Sequence, residues 1–148
     1  MDLVKLGEEL QVDEGVHSHP YRDTRGIWTA GVGHNLISHG CSADQIALWK
    51  INGIPKELIF KWFAEDISAA VKCVKEIFPS YEDLPDNVQR VLVNMAFNLM
   101  YGLKEWHNLR AHIARRDWQA ASMSIMDSLF AKQVPNRCCR LAARMISD

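Results

Sequence analysis

Apolar residues open the chain at helical spacing: Leu3, Leu6 and Leu10 recur three and four apart, with Glu8 and Glu9 off that stripe. Residues 2 to 13 are therefore predicted to form an amphipathic helix closed by Gly15. The period then changes. "PYRD" and "IWTAGVG" are short, aromatic and β-branched, and the "TRG" between them reads as a three-residue hairpin loop, with Gly26 where a positive φ is needed. In that register Asp23 faces Ile27 and Tyr21 faces Thr29, so Asp23 and Thr29 leave the ribbon on one face.

Beyond "HNLISHGC", Ser42 is placed to cap a short helix over "ADQIALWK". "NGIP" then turns the chain, and Pro55 suits the first turn of the next helix. From Lys56 to about Phe78 the apolar positions (Leu58, Phe60, Trp62, Phe63, Ile67, Ala70, Val71, Val74, Ile77) predict one long helix, apolar around much of its circumference near Phe60 to Phe63. Such a helix spans roughly 34 Å. After "PSYEDLPDN" every segment reads as helix, over 87–100, 108–115, 117–127 and 136–146, punctuated by Gly102, Asp117 and "VPN". The expected fold is α+β, mainly α, in a single domain over residues 1–148. A small amino-terminal lobe with a β-hairpin (about 15–60) is joined by the long helix (about 56–78) to a helical carboxyl-terminal lobe (about 79–148) that also takes in helix 2–13. A groove is expected where the lobes meet, the usual place for a ligand.

At 148 residues and 48% hydrophobic the chain has the length of one domain, able to bury roughly two-thirds of its unfolded surface. Its 17 basic and 18 acidic residues exert no global pull toward nucleic acid or membrane, but they are unevenly spread. Up to residue 102 there are 9 basic and 14 acidic residues; after it there are 8 and 4. The basic end is either a surface for an anionic polymer or an ordinary solvated helix face. The amino terminus lacks the basic start, apolar run and small-residue cleavage site of a secretory leader, and no stretch approaches membrane-spanning length. Retention in the cytoplasm is expected, with Cys41, Cys73, Cys138 and Cys139 as reduced thiols, since none shows C-x-x-C spacing.

The chemistry centres on two acids nine positions apart, Glu14 and Asp23, in a run too rich in Gly, His and turn residues for one helix to carry both. Glu14 falls at the last turn of the first helix, where the partial negative charge of the helix end disfavours a carboxylate. Asp23 starts the hairpin turn. A helix end and a hairpin are independent supports, able to present two carboxyls toward one another across a gap. That is the requirement of glycoside hydrolysis: one acid protonates the leaving oxygen and one carboxylate takes a proton from water.

"DEG", "YRDTRGIWTAGVGHNL", "AEDISAAV", "VNMAFN" and "QVPNRCCR" together resemble the phage-type lysozymes, the bacteriophage endolysins grouped as glycoside hydrolase family 24. The similarity runs over nearly the whole chain, and its most specific element is the E-x8-D-x5-T spacing. The resemblance implies a lysozyme-like fold and hydrolysis of N-acetylmuramide glycan in peptidoglycan. Glu14 would be the general acid, Asp23 the carboxylate acting on water and Thr29 the residue that helps hold that water. It implies inversion at the anomeric carbon, for which the two carboxyls stand about 6.5 to 9.5 Å apart. It also implies a pair between His34 and Asp66, a reach from Arg137 to Glu14 and one from Arg140 to Asp13, with Asn35, Phe97, Asn108 and Ser124 as glycan contacts. Asn35 departs from the family's best-known members, which carry a hydrophobic residue there. The stretch between the hairpin and the long helix is shorter than theirs, and the chain stops soon after Met145, so tight packing of Leu141, Met145 and Ile146 is expected in place of a longer tail.

The resemblance further implies a monomer that waits in the host cytoplasm until a membrane-permeabilising partner, a holin, releases it to the wall, with no nucleic-acid partner and no stable membrane insertion. Other readings compete. A binding module of the same fold would grip glycan without cutting it, a lytic transglycosylase would cut without water, and the basic "RCCRLAAR" could bind nucleic acid. His17, His19, His34, His39 and Cys41 are residues that zinc uses, but they lack paired ligand spacing, so no metal or cofactor is expected. Trp28, Trp49, Trp62, Trp106 and Trp118 fall at helical and strand positions and are read as core.

Overall fold

The computed structural model describes residues 1–147. Along the chain run α1 (Leu3–Glu14), β1 (His17–Arg22), β2 (Trp28–Gly31), β3 (His34–Asn35), α2 (Ala43–Asn52), α3 (Lys56–Ile77), α4 (Asp86–Leu99), α5 (His107–Ala114), α6 (Trp118–Met126), α7 (Leu129–Gln133) and α8 (Pro135–Met145). Short 3-10 turns cover Tyr81–Asp83 and Met100–Glu105. This is the expected mainly helical α+β chain, with its one small sheet near the amino end. The chain divides into two compact units: Val4–Ser68, and Met1–Leu3 together with the chain from Ala69 onward. From Val4, α1 therefore groups with the sheet, whereas the sequence placed it with the carboxyl-terminal helices. Gly7 supplies a reason, since a Cβ there would touch Phe63 on α3 at 3.9 Å.

In the first unit the three strands form an antiparallel sheet in sequence order. Tyr21 pairs with Thr29 and Arg22 with Trp28, while the Asp23 N–H donates to the Ile27 carbonyl at 3.0 Å, so the hairpin has the expected register. Gly26, at φ +76°, closes the loop. β1 starts earlier than the side-chain pattern suggests, at His17, with an irregularity in pairing before Tyr21. Its first residues are exposed and polar, but their backbone is engaged: the Ser18 carbonyl accepts from the Ile54 N–H at 2.7 Å. Backbone pairing needs no apolar side chains, which is why periodicity missed it. Ala30, Leu36, Ile46, Ile54 and Ile59 form the core here, and Trp28, Trp49 and Trp62 pack against it only partly buried. Ser42 caps α2 as expected, in a reciprocal capping box with Gln45.

The second unit is built around α4, buried on all sides from Val88 to Ala96. Its polar residues are satisfied internally: Gln89 donates to the carbonyls of Tyr81 and Leu84, and Asn94 accepts from Arg137 at 3.0 Å. α7 went unforeseen because five residues are too few to show a period, although Ser128 caps it by accepting from the Ala131 N–H at 3.1 Å. Leu141 and Met145 are buried as expected, but Ile146 is exposed because α8 ends at Met145 and turns it outward.

Asp86 anchors the start of α4. Partial burial pushes its carboxyl up, but the Arg90 guanidinium at 2.7 Å and the Asp2 N–H at 2.6 Å outweigh that and hold it below the usual carboxylate range. A carboxyl lowered in the folded state stabilises above its unfolded pKa, about 3.9, and stops doing so as pH falls through its folded value. Asp86→Asn is expected to lower Tm at pH 7, with the gap to the parent chain closing in stronger acid; a gap that persists at pH 2 would show another cause. The side chain is 44% exposed, so the effect is modest. No helix among the described residues is long and apolar enough to cross a membrane.

Candidate functional site

α1 ends at Glu14 because Gly15 takes φ +72° and returns its N–H to the Gln11 carbonyl at 2.9 Å. Glu14 is half-buried at that helix end. A Cβ on Gly33, itself at φ +62°, would lie 2.6 Å from Glu14 Oε2 and 2.8 Å from its Cδ. The Glu14 carboxyl thus rests directly on the backbone of the β2–β3 turn, in a space only glycine leaves open.

Asp23 is held by the hairpin turn. Its Oδ1 accepts from the N–H groups of Arg25 (2.8 Å) and Ile27 (2.9 Å), which fixes the carboxylate and leaves Oδ2 for another donor. Thr29 is 5% exposed and gives its hydroxyl proton to the Ile27 carbonyl at 2.9 Å, so its oxygen faces any further partner as an acceptor. Tyr21 pairs with Thr29 across the hairpin. Its phenol is pushed up first by burial, then by the negative charges of Glu14 and Asp23. One side chain therefore senses both acids, although they come from a helix end and a hairpin. Tyr21 and Gly33 were not among the residues singled out by sequence; for Gly33 the only local signal was its place in "GVGHN".

The His34–Asp66 pair forms, with Nδ1 2.6 Å from Oδ2 and His34 stacked on Trp62 at 4.4 Å. Asn35 sits in a pocket of about 370 Å³ with Arg22, Ile27, Trp28 and Ile37. Its Oδ1 accepts from the Ser38 N–H at 3.0 Å, which explains a polar residue here: it builds the turn after β3 and keeps its amide donors for the pocket. In the second unit Asn108 and Ser124 line one pocket of about 640 Å³, together with Trp106, Ser128, Phe130 and Gln133. Phe97 is half-buried on α4 and does not line that pocket. Arg137 is 4% exposed and also donates to the Asn94 carbonyl at 3.1 Å. Asp13 is half-buried on α1, and Arg140 is exposed on α8. No disulfide joins the cysteines of the described residues, and burial pushes the Cys41 and Cys73 thiols up.

The phage lysozyme family matches residues 11–136. The pre-baseplate central spike protein Gp5 of Enterobacteria phage T4 is 26% identical over 93% of this chain, which spans 27% of that protein's length. Two probable T4-type lysozymes of Dictyostelium discoideum, numbered 1 and 2, are 25% and 24% identical; each match covers 92% of this chain and 90% of the relative.

Proposed function

The chain belongs to the phage lysozyme family, and on that footing we propose that it hydrolyses the β-1,4 bond between N-acetylmuramic acid and N-acetylglucosamine in bacterial peptidoglycan. The supporting observation is that the two acids stand on separate elements, Glu14 at the end of α1 against Gly33 and Asp23 held by two backbone N–H groups of the hairpin turn, and that the negative charge of each raises the Tyr21 phenol. In this reading Glu14 gives its proton to the departing glycosidic oxygen as the bond to the anomeric carbon breaks. Asp23 Oδ2 takes a proton from the water whose oxygen forms the new bond, and the Thr29 oxygen accepts that water's other hydrogen. Tyr21, its phenol pushed up by burial and by both acids, stays neutral and keeps its hydroxyl proton. Asn35, Phe97, Asn108 and Ser124 contact the glycan, the last two from one pocket. The protein acts as an endolysin, one chain at a time, and reaches the wall through a holin-dependent step at the end of phage growth.

The products test this. Digestion of purified peptidoglycan is expected to release muropeptides with reducing N-acetylmuramic acid ends, one water heavier than anhydro ends by mass. Anhydro ends would assign the chain to the lytic transglycosylases, and intact glycan with bound protein would make it a binding module.

A further inference from the structure

His34, His39 and Asp66 bring their donor atoms within 4.8 Å of one another, the histidines from β3 and the connection after it, the aspartate from α3. The two oxygens of Asp66 are used differently. Oδ2 is taken by His34 Nδ1 at 2.6 Å; the buried Nε2 of His34 has no hydrogen-bond partner among the described residues, so the ring proton sits on Nδ1 and faces the carboxylate. Oδ1 lies 3.6 Å from His39 Nε2, beyond hydrogen-bond distance. The His39 ring is oriented from its far side, where Nδ1 is 2.7 Å from the Asn35 carbonyl. A carbonyl only accepts, so Nδ1 donates to it, and the other ring nitrogen, Nε2, is the one that faces Asp66 Oδ1.

A cation seated between Nε2 and Oδ1 takes both atoms as ligands. Zinc with nitrogen and oxygen ligands at about 2.0–2.2 Å sets neighbouring donors about 3.4 Å apart in a tetrahedron, a few tenths of an ångström from the spacing here. An imidazole whose other N–H is held by a backbone carbonyl is the arrangement metal-bound histidines use, and an imidazole–carboxylate set suits zinc over magnesium or calcium. His39 is 49% exposed, which gives the ion access, while His34 is 1% exposed and packed between His39 and Trp62, a rigid backing.

We propose that His39 Nε2 and Asp66 Oδ1 bind a divalent transition-metal cation of the zinc class, with His34 fixing the carboxylate and water completing the coordination. The sequence disfavoured such a site for want of paired spacing; the missing ligand comes from α3, twenty-seven residues after His39. A bound ion ties the connection after β3 to α3 directly behind Asn35. Titration of the full chain with zinc chloride, followed by calorimetry and by Tm, tests this independently of glycan cleavage. Saturable one-to-one uptake with a rise in Tm is expected, weakened at least tenfold in His39→Gln and unchanged in His112→Gln, which removes a histidine of α5. Asp66→Asn, if it folds, weakens uptake likewise. Absence of saturable zinc binding, or an affinity in His39→Gln within twofold of the parent chain, overturns the proposal.

Discussion

Asp23→Asn and Glu14→Gln are each expected to reduce peptidoglycan clearing roughly 10³-fold while leaving Tm nearly unchanged. The two halves of that expectation have separate causes. An asparagine at position 23 keeps an oxygen that accepts the Arg25 and Ile27 N–H groups, so the hairpin turn survives, but an amide does not take a proton from water. Glutamine at position 14 has the shape of glutamate and fits the same space against Gly33, yet it has no acidic proton for a leaving oxygen. Circular dichroism and melting curves measured alongside the clearing rate separate loss of chemistry from loss of fold. Activity within tenfold of the parent chain in either variant would remove that residue from the reaction.

A second marked loss is expected at Gly33. Alanine there puts a methyl 2.6 Å from Glu14 Oε2, so the carboxyl must move. A displacement of about 1 Å at a reacting group costs about 100-fold in rate. The substitution also strains a backbone at φ +62°, worth about 1–2 kcal/mol. Gly31 supplies the control. It has nearly the same φ, +60°, and a Cβ there meets Ile59 Cγ2 at 3.2 Å but no acid. Both variants are expected to lose stability. Per folded molecule, only Gly33→Ala is expected to lose kcat, with KM little changed. Equal rates in the two folded variants would mean that strain, and not the Glu14 contact, is what glycine relieves at position 33.

How much of this was legible in the chain depends on the range over which each feature is determined. The end of α1 at Gly15, the hairpin register and the cap at Ser42 are set by a few neighbouring residues, and all three were readable. The candidate acids were legible for the same reason, since their supports are local. α7 and β3 are too short for periodicity, and β1 begins at residues whose polar side chains conceal a backbone ladder. Contacts closed by the fold left no local trace. Nothing around Gly33 announces that Glu14 rests on it, and nothing around His39 announces Asp66. Asn35 looked like a departure from a sugar contact; its role in the turn depends on Ser38.

The proposed reaction stands on Glu14 protonating the leaving oxygen while Asp23 drives water onto the opposite face of the sugar in a single displacement. Its stereochemical signature is the configuration of the new reducing end, read by proton NMR in the first minutes of a digest before mutarotation. Single displacement on the β-linked glycan is expected to give the α anomer first. A β anomer appearing first would require a covalent intermediate and overturn the assignment of Asp23 to water.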